Sequence, residues 1–359
     1  MFLNKPTAFS LDLSDLSIKL AWLKKTGQQL SLVSFNRQEI KDGVIERGAI
    51  KKETELIELI KKTVIEAKGE KIKTRHCIVS LPETESYIRV IQLPKIKDEE
   101  ISEAIKWEME ANIPVPLDKI YFDWQVVTGE GSASDHISVL IGALPKILVD
   151  PYLEVIKKAG FKPLAFEIES IATVRALVKD EKCPDPIMII DLGARRAGLI
   201  IFYCDTIWFT AGLPISNNDL ISDIAKAFNI NQEKAKKIKF NDGLDAKENP
   251  KAFSAMEPRL AELVLEIKKY FNYYQTTNLA KKAAKTNISK ILLCGGGANL
   301  KGLGAFLSSH LNIRVAIGNP WINILTQSSD RLPIIPFDKS LTYTTALGLA
   351  LRGLNSDIN

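Results

Sequence analysis

The chain has 359 residues, 46% apolar and 25% charged, with a net charge of +5. It is long enough for two domains with cores of their own. No apolar run approaches the roughly 18 residues of a membrane span, and residues 1–6 lack the basic-then-apolar pattern of a signal peptide.

The N-terminal stretch alternates as strands. Phe9, Leu11 and Leu13 share one face, and Ile18, Leu20 and Trp22 follow the turn Ser14-Asp15-Leu16-Ser17. A third strand runs through Leu30 and Leu32. The spacing of Leu56, Ile57, Ile60, Val64 and Ile65 predicts a helix over 53–67, and a buried strand over 76–81 is stopped by Pro82. A smaller unit then reads strand 87–93, helix 98–112, strand 121–127, polar loop 129–135, strand 137–144 and helix 146–159. A helix over 170–179 precedes a second strand hairpin. Ile187 to Leu192 ends in Asp-Leu-Gly, and strands over 199–203 and 207–211 follow. Residues 226–289 are helical and basic, with thirteen Lys or Arg against seven Asp or Glu. A solvated helical face is the simpler account of that charge. The functional one is a surface turned toward phosphates, an acidic partner or a membrane. The strand 291–294 ends in Gly295-Gly296-Gly297, a helix covers 300–311, and the last helix starts near Leu341. Cys77, Cys183, Cys204 and Cys294 have no paired spacing, which excludes a zinc ribbon or disulfide framework and predicts reduced, structural thiols.

A hairpin with an acidic turn thus occurs twice, about 180 residues apart, which predicts two copies of one unit arranged as two lobes. Leu11-Asp12-Leu13-Ser14 and Ile190-Asp191-Leu192-Gly193 place an Asp beside each tight turn. Backbone N–H groups there suit phosphate, and the Asp suits Mg²⁺ held through water. Gly295, Gly296 and Gly297 between a strand and a helix let a ligand approach the backbone.

These three segments resemble the phosphate-1, phosphate-2 and adenosine motifs of the superfamily of actin, heat-shock chaperones and sugar kinases. Within it, Ile91-Gln92-Leu93-Pro94-Lys95, Ile105-Lys106-Trp107-Glu108 and Ile113-Pro114-Val115-Pro116-Leu117-Asp118 resemble the PilM family of type IV pilus assembly. Ile317-Gly318-Asn319-Pro320-Trp321 and Ala346 to Gly353 resemble its late motifs. The resemblance implies an α/β actin-like ATPase fold, two lobes with duplicated ribonuclease-H-like cores and an inserted small α/β subdomain. It implies subdomain 1A at 1–82, 164–185 and the returning helix 341–359. Subdomain 1C falls at 83–163, 2A at 186–216 and 290–340, and 2B at 217–289. It implies ATP with Mg²⁺ between the lobes, contacted by Asp12, Ser14, Ser17, Lys19, Asp191, Gly193, Lys239 and Gly295 to Gly297, with Asp12 and Asp191 orienting the metal through water. It also implies a partner, the N-terminal tail of the inner-membrane protein PilN, in a groove between the first subdomain and the inserted unit. The chain would then be a cytoplasmic clamp at the inner membrane face, acting in twitching motility. It would reach PilO through PilN, couple to the motor ATPase, touch membrane only through its partner and be at most a weak ATPase. Self-association is left open.

Three positions depart from the family pattern. Ser14 replaces a glycine whose missing Cβ would permit positive φ. Arg195 and Arg196 replace small or hydroxyl residues after Gly193. They either bind phosphate bidentately or pair with solvent or the other lobe. In Ala235-Lys236-Lys237-Ile238-Lys239, Lys236 stands where a glutamate meets the ribose; it can only donate. Glu167 and Glu169 are the nearest candidates for an acid that positions water. On the helix 98–112, Ile101, Ala104, Ile105 and Met109 form one stripe and Trp107 lies off it. Trp107 therefore either packs on a neighbouring subdomain or, with Ile113, Pro114 and Pro116, walls a groove for an extended peptide. Three rivals share the fold: a small-molecule kinase, an FtsA-like cell-division protein and a PilM-type scaffold with a degenerate nucleotide site. The inserted unit shows no polar cluster for a kinase substrate, and no amphipathic membrane helix follows Gly353. The basic region lacks interleaved aromatics for nucleic acid.

Overall fold

A computed structural model describes residues 7–113, 115–127, 136–179, 185–276, 287–325 and 334–354. Pro114, the loop 129–135, Cys183 and the stretch 355–359 lie outside them. Among the described residues, no helix is long and apolar enough to cross a membrane.

Lobe 1 is built on β1 (Phe9–Ser14), β2 (Ser17–Thr26), β3 (Gln29–Glu39), β7 (His76–Leu81) and β11 (Lys162–Ile168). Short β6 (Lys68–Gly69) extends its edge, giving the order β11-β7-β1-β2-β3-β6. β1, β2 and β3 are antiparallel, whereas β7 and β11 add in parallel. Lobe 2 repeats this plan with β12 (Ile187–Leu192), β13 (Ala197–Tyr203), β14 (Thr206–Leu213), β15 (Lys290–Cys294) and β16 (Arg314–Ile317). Its order is β14-β13-β12-β15-β16, with the same three antiparallel and two parallel additions. The expected duplication is therefore a duplication of topology. β11 and β16 escaped the sequence reading because they are parallel edge strands with weak alternation.

The inserted unit is a three-stranded sheet, β8 (Tyr87–Pro94), β10 (His136–Pro145) and β9 (Ile120–Val127), covered by α2 (Asp98–Asn112). Ile101, Ile105 and Met109 of α2 pack on Ile91, Val139 and Ile141. The helix α3 (Lys146–Lys158), read from sequence as part of this unit, instead buries Leu148, Val149, Tyr152 and Ile156 in the lobe 1 core with α1 (Glu53–Ile65). Its large apolar stripe needs a larger sheet than the inserted unit offers.

Lobe 2 also holds α5 (Asn217–Phe228), α6 (Gln232–Asp242), α7 (Pro250–Thr276) and α8 (Leu303–Leu311). Asp219 and Ser216 form a capping box that starts α5. Lys234, Lys236 and Lys237 of α6 are exposed, as a solvated basic face requires.

Two helices link the lobes. α4 (Glu169–Leu177) turns Val174 and Leu177 toward Ile187, Ile189 and Phe202 of lobe 2. After a short helix, α9 (Phe337–Ser340), α10 (Thr344–Leu354) returns to lobe 1 and packs Ala346, Leu347 and Ala350 on Ala21 and Leu23. The two cross where a Cβ on Gly348 would lie 1.8 Å from the Ala172 carbonyl oxygen. Buried Glu167, just ahead of α4, accepts from Arg175 of α4 at 3.0 Å and also from Arg352 of α10.

Cys77 and Cys294 are free and buried, and burial pushes the Cys77 thiol up to about 12. Cys204 is disulfide-bonded, which corrects the expectation of four reduced thiols. It sits at the left-handed β13–β14 turn, a placement that sequence spacing does not reveal.

Gly348→Ala forces the linking helices apart and should cost about 3 kcal/mol in urea unfolding, the upper range for overpacking. Gly198→Ala, where nothing lies within 4 Å of the added Cβ, should leave stability unchanged.

Candidate nucleotide cleft and partner groove

The two acidic turns and the triple glycine converge between the lobes. In the first turn, Asp12 is buried. Its Oδ2 accepts from Lys19 Nζ at 2.8 Å and its Oδ1 from Ser80 Oγ at 3.2 Å. Ser80 in turn accepts from the Leu13 N–H at 2.9 Å, so β7 fixes this turn. Ser14 donates to the Ser17 carbonyl at 3.0 Å and lies 3.1 Å from the Ser17 hydroxyl. Ser14 is not among the residues with positive φ. The Cβ that replaces the family glycine therefore imposes no backbone strain here.

Asp191 ends β12. Burial pushes its carboxyl up to about 6; Lys19 and Arg196 oppose that rise and Asp12 adds to it. A Cβ on Gly295, whose φ is +77°, would fall 2.2 Å from Asp191 Oδ1. One on Gly297 would fall 2.7 Å from Leu192 Cβ. Gly295 and Gly297 thus let the third motif seat on the second, whereas a Cβ on half-buried Gly296 would meet Thr342 Cγ2 at 3.4 Å, an ordinary contact. Gly193 lacks a Cβ because the Arg196 carbonyl oxygen would sit 2.5 Å from it.

Arg195 and Arg196 reach across to lobe 1. Arg195 pairs with Asp42, and Arg196 donates to Thr84 Oγ1 and lies 3.5 Å from Asp15 Oδ1. Of the alternatives for these arginines, the structure places them on the other lobe.

The two candidate glutamates separate. Glu167 is committed to Arg175 and Arg352, a structural ion pair. Glu169 faces the cleft. Its carboxyl is pushed up to about 8 by burial, and Arg196 opposes this while Asp12, Asp191 and Glu83 reinforce it. Glu83, against the hydroxyls of Thr210 and Ser170, is also raised by burial.

On the lobe 2 side, Lys239 is 7% exposed, and burial pulls its ammonium down to about 8. No counter-charge faces it among the described residues. Lys236 is exposed on the same helix. The Asn217 Oδ1 is buried without a donor, and Asn217 Cβ lies 3.5 Å from a Cβ built on Gly297. Sequence reading missed Asn217 and Glu83. The Ser216-Asn217 pair opening a helix straight after a strand was the available signal for the first. Among the described residues no three acidic, His or Cys side chains group to hold a metal directly.

On the inserted unit, Trp107 is 71% exposed, so it does not pack on a neighbouring subdomain. Beside it, Glu110, Ile113, Val115, Pro116, Leu117 and Asp118 line a depression of about 460 Å³. Its apolar floor and two acidic rim residues suit an extended apolar segment with basic flanks.

The sequence pattern of the type IV pilus assembly protein PilM matches residues 10–354. The chain belongs to the PilM family. Among solved structures, a PilM-PilN type IV pilus biogenesis complex aligns at a TM-score of 0.79 and 23% identity, covering 97% of this chain and 98% of that one. The ethanolamine utilization protein EutJ of Carboxydothermus hydrogenoformans aligns at 0.57 and 16% identity, covering 97% and 90%. MreB5 of Spiroplasma citri, bound to AMPPNP, aligns at 0.54 and 13%, covering 98% and 97%. The fold is thus that of actin-like ATPases. The cell division protein FtsA of Buchnera aphidicola is 23% identical over 231 residues, 58% of this chain and 53% of that protein. The chain spans about half the length of this curated relative.

Glu169 carries a folded-state pKa above its unfolded value. It therefore binds its proton more tightly when folded, and stability falls as pH rises from about 4.5 to about 8. Thermal unfolding of Glu169→Gln should match the wild type near pH 5 and exceed it by about 1–3 kcal/mol at pH 8.5. A mutant less stable at pH 8.5 would rule out a destabilising buried carboxylate.

Proposed function

We propose that this chain binds ATP between its lobes and clamps the N-terminal tail of a PilN-type membrane protein, coupling the inner-membrane pilus complex to the motor ATPase. The observation that carries the nucleotide reading is the meeting of the two acidic turns and the glycine turn, with Asp191 held between Asp12, Lys19, Arg196 and Gly295; Lys239, a buried ammonium without a counter-charge among the described residues, is read with it. An unpaired buried cation is costly, and an anionic ligand offsets that cost. Asn217 Oδ1, a buried acceptor without a donor, suits a ligand hydroxyl. Ser17 and Lys19 supply donors on the lobe 1 side, and Ser14 would do so by leaving the Ser17 carbonyl.

Asp12 and Asp191 would hold a magnesium ion through its water. The Asp12 oxygens already accept from Lys19 and Ser80, leaving one lone pair each. The metal would supply neutralisation of phosphate charge. Of the two glutamates considered for positioning water, Glu167 is committed to Arg175 and Arg352, and Glu169 faces the cleft.

For the partner, exposed Trp107 and the depression at Ile113 and Pro116 support an anchor and a groove wall. The PilN tail brings the chain to the cytoplasmic face of the inner membrane and, through PilN, to PilO. A scaffold with a degenerate nucleotide site is the second reading. Arg196 favours it, since this cation from the second phosphate turn is spent on Thr84 and Asp15 of the opposite lobe.

Calorimetric titration with Mg-ATP and with a synthetic PilN N-terminal peptide separates the two. Lys239→Met should weaken ATP at least tenfold, about 1.4 kcal/mol, while thermal stability holds or rises because a buried charge is gone. Peptide binding with no ATP heat would leave only the scaffold. Trp107→Ala should weaken the peptide by about 2 kcal/mol, as for an anchoring residue, and leave ATP untouched; an unchanged peptide affinity would remove Trp107 from the groove.

A further inference from the structure

The chain enters the inserted unit through a single 3-10 turn, Glu83–Glu85, directly before β8. That connector touches the second acidic turn and reaches the first through Gly48. Thr84 accepts from Arg196 of the second turn. A Cβ on Gly48 would lie 2.6 Å from Pro82, and the Gly48 N–H donates to Asp15 of the first turn at 3.0 Å. Glu83 faces Thr210 on β14 of lobe 2 and Ser170 on α4. Beyond the connector, Val90 of β8 packs on Tyr203 and Trp208 of lobe 2.

We propose that Arg196 is an exchangeable contact linking the cleft to the inserted unit: it holds Thr84 when the cleft contains no polyphosphate and turns to the phosphates when one binds, freeing the connector. The proposal rests on the nucleotide reading above and adds its regulation.

The energetics favour the exchange. Arg196 now holds one neutral hydroxyl and an ion pair stretched to 3.5 Å. A phosphate offers the guanidinium two charge-assisted bonds, roughly twice as strong as neutral ones. Asp15 loses little, because it keeps the Gly48 N–H. The backbone need not move, since Gly193 and the Arg196 carbonyl already close the turn. Only the side chain swings, and it is one-third exposed. The freed Thr84 lies three residues before β8, so the strand that carries the inserted sheet loses a tether to lobe 2. By linkage, whatever fixes the inserted unit in its tethered position, a bound tail included, weakens the polyphosphate by the same factor.

Hydrogen exchange over residues 83–94 of the full chain tests this, with ATP binding followed by calorimetry on the same samples. Saturating ATP should speed exchange in that segment roughly fivefold or more, at the low end of measured site-to-site couplings. Thr84→Val should bind ATP within about threefold of wild type and show the fast exchange already without it. Arg196→Ala should show fast exchange and no response. ATP bound with no change over 83–94, or a Thr84→Val protein that responds like the wild type, overturns the proposal and leaves the nucleotide reading standing. Absence of ATP heat removes both.

Discussion

Everything functional in this molecule hangs on the crossing of two helices. α4 carries the chain from lobe 1 to lobe 2 and α10 brings it back, and they meet where Gly348 lies against the Ala172 carbonyl. At so close an approach no side chain fits between the backbones. The crossing is also locked by charge, because Glu167 takes both Arg175 and Arg352 while itself almost wholly buried. Removing both arginines would strand a buried carboxylate at a cost of about 3–5 kcal/mol. The position of this pivot decides where the two sheets can face each other, and so where the cleft lies.

The duplicated sheets explain why the cleft is acidic. Each repeat ends its first strand in an aspartate at the same topological place, so closing two lobes brings Asp12 and Asp191 together without any further design. Glu169 arrives at the same spot because α4 must start there to reach the pivot. Burial and mutual repulsion raise Asp191 and Glu169 toward neutral pH. Lys19 and Arg196 are the chain's answer to that charge, whereas Lys239 is buried without a counter-charge among the described residues.

The sequence carried most of the fold and part of this site. Apolar alternation located the hairpins, and the ends of β7, α2 and β12 agree with the expected boundaries because Pro82, Ile113 and Gly193 stop them. β11 and β16 were illegible, since a parallel edge strand earns its place from a neighbour distant in sequence. The same limit applies to the side chains. Glu167 and Glu169 are two residues apart, and no pattern could say that one serves the pivot and the other the cleft. Ser14 looked like a loss of backbone freedom, yet its turn never uses positive φ. Trp107 off its stripe left two uses open, and only the empty space around it decides between them.

The inserted unit gives this cleft a second neighbour besides the two lobes. An actin-like fold that only hydrolysed nucleotide would need its connector to be inert. Here Thr84 contacts the second acidic turn and Pro82 lies against Gly48, which bonds Asp15 of the first, while the sheet beyond leans on lobe 2 through Val90. Charge placed in the cleft is therefore felt by the groove-bearing unit before it can do chemistry. Arg195 and Arg196 sharpen this difference. In place of small residues that merely let phosphate approach, they tie lobe 2 to Asp42, Asp15 and Thr84 of lobe 1, so filling the cleft must either use those ties or break them. On the proposed reading, the second acidic turn doubles as the strut of the inserted unit, so that occupancy of the cleft is transmitted to that unit.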